Sequence, residues 1–510
     1  MKCVVLPTDG SHLKSTASVF SCRDIVLMNM SYCDEYLIAA AGKERSEIEQ
    51  EIREISDIAY RWIDTSCLTK KQIMDNICQE LQPQEGIIVF DEERVNPAGY
   101  HPSGVDYKKG MLEAIRSMNR GKICHLGVEN DGQSYDMGIY LLKADVFHSI
   151  KEDLCDDLFA NIDEVTLAEK ILITAGKQSG AETEKVTQAL KPVMVKLSPA
   201  FKDYLWGGTK LREIFGKKTT LDIVAESWEV SAHPDGLSTV AEGKYAGMTL
   251  AEFLGRPGGE ALGWKCRFMS DFPILIKFID AKNPLSIQVH PNDEYALVNE
   301  NEYGKNEMWY ILEADEGAGI YCGFNRETSA GEVRKRIEDN TILEILNWVP
   351  AKKGDVFFIK AGTVHAIGAG IMICEIQQSS NCTYRLYDYD RKDKNGNRRE
   401  LHVDKAIDVL DYHQYDNPLT KATNQEIGGN TVRQLAHCKY FNCVSYRIEE
   451  EMSLVLTDKS FLAIVCVGGE GEITLEDEKI EFHRGESLFI TAGKGVAYIH
   501  GNCEMVITEI

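Results

Sequence analysis

A chain of 510 residues and 57.2 kDa is longer than one ordinary domain, and about 150 residues per domain predicts roughly three. Hydrophobic residues make up 44% and charged residues 27%, which is typical of a globular protein. The net charge of −24 disfavours general electrostatic binding to nucleic acid or to anionic membranes. It is not a single acidic tail, since residues 1–190 and 191–510 carry −12 each.

The cysteine pattern and the amino terminus predict a reduced protein of the cytoplasm. Fifteen cysteines are spread along the chain without a C-x-x-C pair, which argues against a zinc ribbon and against a disulfide framework. The apolar run after Met1 ends at Pro7, unlike a signal peptide. No stretch of about eighteen uncharged apolar residues is present, so we expect no membrane span.

Residues 1–190 predict a mixed α/β domain. Apolar runs predict strands at 1–7, 86–90 and 137–142. Helical spacing of apolar residues, after a capping box of Ser46 and Glu49, predicts a helix over 46–62. Further helices are expected at 109–118 and 144–150. The small polar residues of 174–184 predict a linker or a domain edge.

After residue 190 the pattern changes to short strands separated by turns, which predicts a β-sandwich or barrel. One helix is expected near 329–346. The predicted strands are 193–197, 274–278, 285–289, 308–312, 356–359, 372–376, 461–467, 471–475, 479–482, 487–490, 497–499 and 505–507.

Four residues along this β region predict a metal site. Gln288 and His290 lie two apart in a strand, so their side chains share a face, with Ser286 beside them. Glu307 begins an apolar strand two residues after Lys305. A turn, a strand and a glycine precede His365, which can then be presented at the mouth of a barrel. One amide, two imidazoles and one carboxylate suit Zn²⁺ or a similar divalent ion.

These segments resemble the type I mannose-6-phosphate isomerases, in particular their compact bacterial form. The resemblance spans about 193–510. It is carried, in the same order, by 204–208, 225–234, 286–290, 304–310, 362–367, 375–378 and 383–391.

The resemblance implies a mainly β protein in which two cupin-type β-barrels follow an extra mixed α/β domain. The implied domains are 1–190, a catalytic metal-binding cupin domain at 191–415, and a metal-free cupin domain at 416–510. It also implies one Zn²⁺ per catalytic domain, with ligands at positions matching Gln288, His290, Glu307 and His365. The implied reaction interconverts mannose 6-phosphate and fructose 6-phosphate.

Aldose–ketose isomerisation moves a proton between C1 and C2, commonly through a cis-enediol. A metal polarises the carbonyl and stabilises the oxyanion that develops, while a base and an acid shuttle the proton. The resemblance places Arg385 in the active site, where its fixed charge holds phosphate or stabilises the enediolate. Lys305 suits either task, and Ser286 suits a hydrogen bond to phosphate. The sequence does not identify the base.

Several other residues are not expected to bind the metal. His233 is expected to be structural or to act behind the ligands, and Trp206 and Trp228 to lie in the core. The last β region carries glutamates in place of clustered histidines, at Glu470, Glu472 and Glu476. It is therefore predicted to be a barrel without metal.

Residues 1–190 carry only a faint resemblance to sugar nucleotidyltransferases, at 16–30 and 137–143. Those enzymes need a glycine-rich loop after the first strand to cradle phosphates, and here Gly10 is the one glycine in that place. A degenerate domain and an unrelated assembly domain are equally consistent with this. Two alternatives to a plain isomerase follow: a non-catalytic sugar-phosphate sensor, and a bifunctional isomerase–nucleotidyltransferase. The oligomeric state stays open.

Overall fold

The computed structural model divides the chain into two compact units, Met1–Thr187 with Phe268–Ser270, and Gln188–Arg267 with Asp271–Ile510. Within 191–510 it describes every residue except 256–260, 267, 268, 270, 393–395 and 417. Within 1–190 it describes seven strands and five residues outside them, Cys33, Glu49, Asn76, Gln79 and Met118. None of the helices in these described parts is long and apolar enough to cross a membrane.

The first unit contains a seven-stranded mixed sheet in the order β3-β2-β1-β4-β6-β5-β7. Strand β1 pairs in parallel with β2 on one side and with β4 on the other, and β6 runs antiparallel to both β4 and β5. The strands are β1 (Lys2–Leu6), β2 (Glu35–Ala40), β3 (Ala59–Asp64), β4 (Gly86–Asp91), β5 (Cys124–Asn130), β6 (Gln133–Lys143) and β7 (Glu169–Thr174).

Burial in β2 is that of an inner parallel strand. Tyr36, Leu37 and Ile38 are consecutive, so their side chains point to alternate faces, and all three are buried. Both faces of the sheet are therefore covered at this strand, as in α/β domains. The mixed α/β character expected for this region is confirmed.

Three of the predicted strands in this unit are confirmed, as β1, β4 and part of β6. The predicted helix over 46–62 is wrong at its end. Glu49 is helical, but β3 begins at Ala59 and pairs in parallel with β2. Tyr60 and Trp62 favour a strand, and pairing with β2 outweighs the helical spacing. Met118 is helical as predicted, whereas the rest of 109–117, the helix at 144–150 and residues 175–184 lie outside the described residues.

In the second unit, two facing sheets form a barrel that we call the first barrel. Their inner faces share one apolar core, to which Ile279, Trp309 and Ile373 contribute from one sheet and Ile320 and Ile367 from the other. The six-stranded sheet, in spatial order, contains β17 (Val356–Ile359), β14 (Glu307–Ala314), β19 (Ile371–Gln378), β12 (Ile274–Ala281), β10 (Glu226–Val230) and β9 (Ala200–Lys202). The five-stranded sheet contains β16 (Leu346–Pro350), β15 (Gly319–Phe324), β18 (His365–Ile367), β13 (Ile287–Val289) and β20 (Tyr384–Tyr387).

A ten-stranded sheet closes around a separate apolar core and forms the second barrel. Two of its strands come from the start of the unit, since β8 pairs with β27 although nearly 300 residues separate them. The strands are β8 (Met194–Ser198), β11 (Thr239–Val240), β21 (Asn424–Ile427), β22 (Asn430–His437), β23 (Asn442–Ile448), β24 (Glu451–Leu456), β25 (Leu462–Leu475), β26 (Glu478–His483), β27 (Ser487–Ile490) and β28 (Gly495–Glu509).

Strands β25 and β28 are longer than the sequence indicates. Each was expected as two short strands, but each runs unbroken for 14 or 15 residues. Glycines allow the paired strands to bend and to approach each other closely. Gly469 has φ +69°, and a Cβ there would lie 1.9 Å from the Asn502 carbonyl oxygen.

Short helices connect the strands of the second unit. The predicted helix at 329–346 is too long, because α4 ends before Asn340, whose φ of +56° ends a helix. A 3₁₀ turn follows at Ile342–Ile345, and others lie at Gly243–Tyr245 and Trp264–Cys266. The helices are α1 (Lys210–Glu213), α2 (Leu250–Leu254), α3 (Asp293–Asn299), α4 (Ala330–Glu338) and α5 (Val403–Val409).

Buried polar contacts join the two barrels. Glu229 of the first barrel is fully buried and pairs with Lys217 at 2.5 Å, and Ser487 of the second barrel donates to Glu229 at 3.0 Å. Tyr310 of β14 donates to Glu504 of β28. A buried charge needs such partners, because an unpaired one is expensive to desolvate.

Candidate functional site

Polar side chains replace apolar ones at one end of the first barrel. Along β19, Ile371 and Ile373 lie in the barrel core. Because side chains two apart share a face, Glu375 and Gln377 continue that inward row. The neighbouring β14 follows the same rule, with Glu307 directly across from Gln377. The strand alternation thus aligns a polar layer above the apolar core.

The centre of this layer is a buried group of His290, Glu307 and His365. Their ligand atoms all lie within 4.8 Å of one another, a spacing that would hold a metal ion. His290 Nε2 is 3.1 Å from Glu307 Oε1, and His365 Nε2 is 3.8 Å from Glu307 Oε2. Among the residues that the structure describes, this is the one such cluster of His, Cys, Asp and Glu.

The fourth predicted ligand, Gln288, lies beside this group. It is paired across strands with His365, and its side-chain nitrogen is 3.3 Å from His365 Nε2. Rotating the amide by 180° exchanges its nitrogen and oxygen, and only the oxygen can bind a cation. The structure therefore brings all four predicted metal residues together.

Backbone carbonyls fix the orientation of both histidines. His290 Nδ1 lies 2.8 Å from the Cys382 carbonyl, and His365 Nδ1 lies 2.8 Å from the Thr363 carbonyl. Donation from each Nδ1–H leaves the Nε2 lone pair facing the centre. Metal-binding histidines are usually held by such a partner.

The site's charges keep Glu307 ionised and the histidines neutral. Burial opposes ionisation of Glu307, but the charge of Lys305, 2.8 Å away, outweighs it and holds the pKa of Glu307 well below the usual value. Burial lowers the pKa of His290 to about 3 and also lowers the pKa of His365. These are the protonation states that a metal requires.

A pocket of about 270 Å³ opens next to the cluster. Four of the predicted site residues line it, and two of these, Gln288 and Lys305, also touch the cluster. Its lining is Tyr204, Trp206, Glu226, Lys277, Ile279, Leu285, Ser286, Gln288, Lys305, Ile367, Glu375, Asn381, Thr383, Arg385 and Arg399.

Sequence reasoning missed a charged group on the pocket wall. Lys277 lies 3.4 Å from Glu375 and 3.8 Å from Glu226. Trp309 donates to Glu375 at 2.8 Å and Trp228 donates to Glu226 at 2.6 Å. Burial, and then the charge of Glu307, raise the pKa of Glu375.

Two signals in the sequence pointed to this group. A single lysine interrupts the apolar run of β12, and Glu375 stands inside a segment already matched to the isomerases.

Guanidinium groups gather at the Arg385 side of the pocket. Arg399 binds Asp388 through two contacts of 2.5 and 2.8 Å, and Arg391 also pairs with Asp388. Arg385 donates to the Glu400 carbonyl at 2.7 Å. Burial, and then the charge of Arg399, lower the pKa of Arg385. Three arginines against two carboxylates, Asp388 and Glu400, leave this side positively charged.

The remaining histidines and tryptophans lie mainly where the sequence indicated. His233 lies 3.3 Å from Glu302 and is not part of the cluster. Trp228 is buried, whereas Trp206 is buried and also lines the pocket. In the second barrel His483 and His500 are exposed.

Comparisons with known proteins agree with this geometry. Residues 194–317 match the model of the phosphomannose isomerase type I catalytic domain, and residues 431–510 match that of the mannose-6-phosphate isomerase cupin domain. Mannose-6-phosphate isomerase ManA of Bacillus subtilis is 37% identical over 320 residues, which are 61% of this chain and 97% of that protein. The chain belongs to the type I mannose-6-phosphate isomerase family. It is an isomerase, as its sequence predicts.

Other relatives extend the match. Mannose-6-phosphate isomerase of Streptococcus mutans is 38% identical over 286 residues, covering 56% of this chain and 88% of that protein. The crystal structure of the Bacillus subtilis enzyme superposes with a TM-score of 0.56 at 35% identity, covering 63% of this chain and all of that one. A putative mannosephosphate isomerase from Archaeoglobus fulgidus, at 21% identity and a TM-score of 0.51, shares the fold. The expected mainly β, cupin-type architecture is confirmed.

Proposed function

We propose that this pocket interconverts mannose 6-phosphate and fructose 6-phosphate with one Zn²⁺ in the first barrel. The observation that carries the proposal is the buried His290–Glu307–His365 cluster beside a pocket lined by Lys305 and Arg385. The names of the relatives described above support the choice of substrate.

The residues present fit a zinc ion. His290 Nε2 and Glu307 Oε2 are buried and make no hydrogen bond with the protein, whereas Glu307 Oε1 contacts Lys305 at 2.8 Å. Buried polar atoms are rarely left without a partner, and a cation would satisfy both His290 Nε2 and Glu307 Oε2. Two imidazoles, a carboxylate and the Gln288 amide oxygen match the nitrogen and oxygen ligands of zinc. When bound, zinc would polarise the substrate carbonyl.

The charged residues of the pocket suit the rest of the reaction. We assign Lys305 and Arg385 to stabilising negative charge on the substrate, since both carry fixed positive charge at the pocket wall. We assign proton transfer to Glu375, because its raised pKa brings a carboxyl group nearer to neutral pH. Lys277, close to Glu375, would hold that carboxyl in place.

The phosphate group is assigned to the side of the pocket that Arg385 and Ser286 line. Guanidinium groups bind phosphate with several hydrogen bonds in a fixed geometry, and Arg399 adds further positive charge there. This local charge offsets the overall −24 that would otherwise repel a phosphosugar.

A coupled assay on the full chain tests the proposal. Mannose 6-phosphate should be converted to fructose 6-phosphate, EDTA should abolish the activity, and added Zn²⁺ should restore it. Tight binding of fructose 6-phosphate without turnover would contradict an enzyme and indicate a sensor. Activity that survives EDTA would contradict the proposed metal requirement.

We assign the reaction to the cytoplasm, since the nine described cysteines carry free thiols.

We further propose that residues 1–190 form a nucleotidyltransferase-like domain that has lost catalysis, followed by a catalytic domain at 191–415 and a metal-free domain at 416–510. Its support is the sheet order, in which β1 has neighbours β2 and β4 on opposite sides. Such a switch point is where doubly wound sheets bind ligands. The sequence after β1 nevertheless lacks the glycines of a phosphate loop.

Calorimetry with nucleoside triphosphates tests this assignment on the full chain, and no binding is expected. Binding, together with pyrophosphate release from a sugar 1-phosphate, would indicate a bifunctional enzyme instead.

A further inference from the structure

We propose that Gln377 is a positioning residue of the metal centre, which acts by fixing the turn whose Cys382 carbonyl orients His290. The inference rests on the proposed metal site and extends it to a residue that touches none of the metal ligands through its own hydrogen bonds.

Gln377 occupies a buried inward position, where a polar side chain requires hydrogen-bond partners. It is the next inward residue of β19 after Glu375, lies across from Glu307, and is completely buried. Burying an amide without compensating hydrogen bonds destabilises the folded state. An apolar side chain would continue the inner face of β19 without that cost.

The amide nitrogen of Gln377 makes the compensating contacts. It donates to the Gln378 carbonyl at 2.8 Å and to the Ser380 carbonyl at 2.7 Å. Gln378 is the last residue of β19 and Ser380 lies in the turn that follows it, so one side chain holds the end of the strand and the turn together. Because both contacts require a donor, the amide orientation is fixed and its oxygen cannot take the nitrogen's place.

The held turn leads directly to the metal centre. Ser380 is buried, and its hydroxyl accepts from the Cys382 amide at 3.2 Å. The Cys382 carbonyl in turn lies 2.8 Å from His290 Nδ1. A chain of three contacts therefore runs from Gln377 through Ser380 and Cys382 to His290, and it selects the tautomer whose Nε2 can bind metal.

The amide oxygen of Gln377 marks the same location. It is buried and has no hydrogen-bond partner in the protein, and the same is true of His290 Nε2 and Glu307 Oε2. A purely structural glutamine would be expected to use both ends of its amide. In Gln377 only the amide nitrogen makes hydrogen bonds, and they hold the turn that supports His290.

Metal affinity of the full-length protein tests the proposal. Gln377→Met keeps the length of the side chain and removes the two hydrogen bonds. We expect it to weaken Zn²⁺ binding about 10- to 100-fold, the usual effect of losing a partner behind a metal ligand. Affinity is measured by competition with a chromogenic chelator, and the visible spectrum of the Co²⁺-loaded protein should shift because His290 is turned.

Two further variants separate positioning from general stability. Ser380→Ala removes one contact of the same chain and should weaken Zn²⁺ binding several-fold. It also carries the test if Gln377→Met does not fold. The matched control is Asn430→Leu, since Asn430 is a buried amide of the second barrel that donates to the Glu451 carbonyl at 2.8 Å. It should lower the melting temperature without changing the Zn²⁺ dissociation constant.

An unchanged Zn²⁺ dissociation constant and Co²⁺ spectrum in folded Gln377→Met would overturn the proposal, and so would unchanged affinity in Ser380→Ala where the first variant does not fold. Failure of the wild-type chain to bind either metal would instead refute the proposed metal site itself, so the two failures are distinguishable.

Discussion

The two barrels of the second unit have similar strand patterns but different side chains on their inner faces. Inward positions of the second barrel are filled by apolar residues such as Ile464, Ile473 and Leu488. At one end of the first barrel, the same kind of inward position carries Glu307, Glu375 and other polar groups. The fold therefore supplies the scaffold in both, and the side chains on the inner face determine which one can hold a metal.

The two barrels also differ in the interactions that stabilise them. Buried charges in the polar layer of the first barrel are stabilised by ion-pair partners, as Glu307 is by Lys305 and Glu375 by Lys277. Such networks must be complete, because a single missing partner leaves a charge buried in a low dielectric. The apolar second barrel has no such requirement and adds buried hydrophobic area to the unit.

Removing one histidine from each barrel should show the largest difference in activity between the two barrels. His365→Ala removes a proposed metal ligand and should lower kcat/KM by about 10³-fold or more, since a metal contributes several kcal/mol to the transition state. His483→Ala, on the exposed surface of the second barrel, is the matched control and should retain activity. Full activity in His365→Ala, measured in the coupled assay, would refute the metal assignment.

The buried pair between the barrels should have the next largest effect. Lys217→Met leaves Glu229 buried without its ion-pair partner and should lower the free energy of unfolding by about 3–5 kcal/mol. Urea unfolding of residues 191–510 measures it, since this part corresponds to whole curated relatives. The double variant Lys217→Met/Glu229→Gln should recover part of the loss. A double variant no more stable than the single one would contradict the ion-pair explanation.

Truncating the second core should affect stability alone. Ile473 is completely buried, and Ile473→Ala should lower the free energy of unfolding by about 2–5 kcal/mol by leaving a cavity. At temperatures where the variant is folded, its KM and Zn²⁺ affinity should equal those of the wild type. A marked loss of metal affinity would show that the two barrels are coupled more closely than their separate cores indicate.

The smallest effect is expected from the hydrogen bond between Tyr310 and Glu504. Tyr310→Phe removes a donor to a charged acceptor and should lower the free energy of unfolding by about 1.5–3 kcal/mol. Glu504 keeps a 3.5 Å contact with Arg447, which limits the loss. Urea unfolding with Tyr446→Phe as control should separate this contact from the general loss of a hydroxyl group. Equal losses in both variants would contradict a specific role for it.

Local sequence patterns predicted ten of the 21 strands described for the two barrels. Residues 356–359 and 487–490 were expected as strands and are found with those bounds. Long-range pairing was not predictable. The bend that keeps β28 continuous depends on Gly469 of the neighbouring strand, and the strand at Ala59 depends on pairing with β2. Both effects come from residues distant in sequence.

The site was predicted where spacing along one strand or a family motif carried the information. Gln288 and His290 share a strand face, and Glu307 and His365 stand in matched motifs. Lys277 and Glu375 were missed because the two signals lie about 100 residues apart, and only the pairing of β12 with β19 places these side chains opposite each other. Arg399 escaped because its approach to the pocket depends on Asp388.

The pairing of β8 with β27 has a consequence for how the protein is made. During translation Met194 of β8 is synthesised almost 300 residues before Ile490 of β27, with which it pairs. At about 5–20 residues per second, the ribosome needs roughly 15–60 seconds to supply it. Throughout that interval the amino-terminal edge of the second unit lacks its neighbour. We therefore expect a chaperone that shields exposed strands to associate with nascent chains that end before residue 487 and to leave once synthesis is complete.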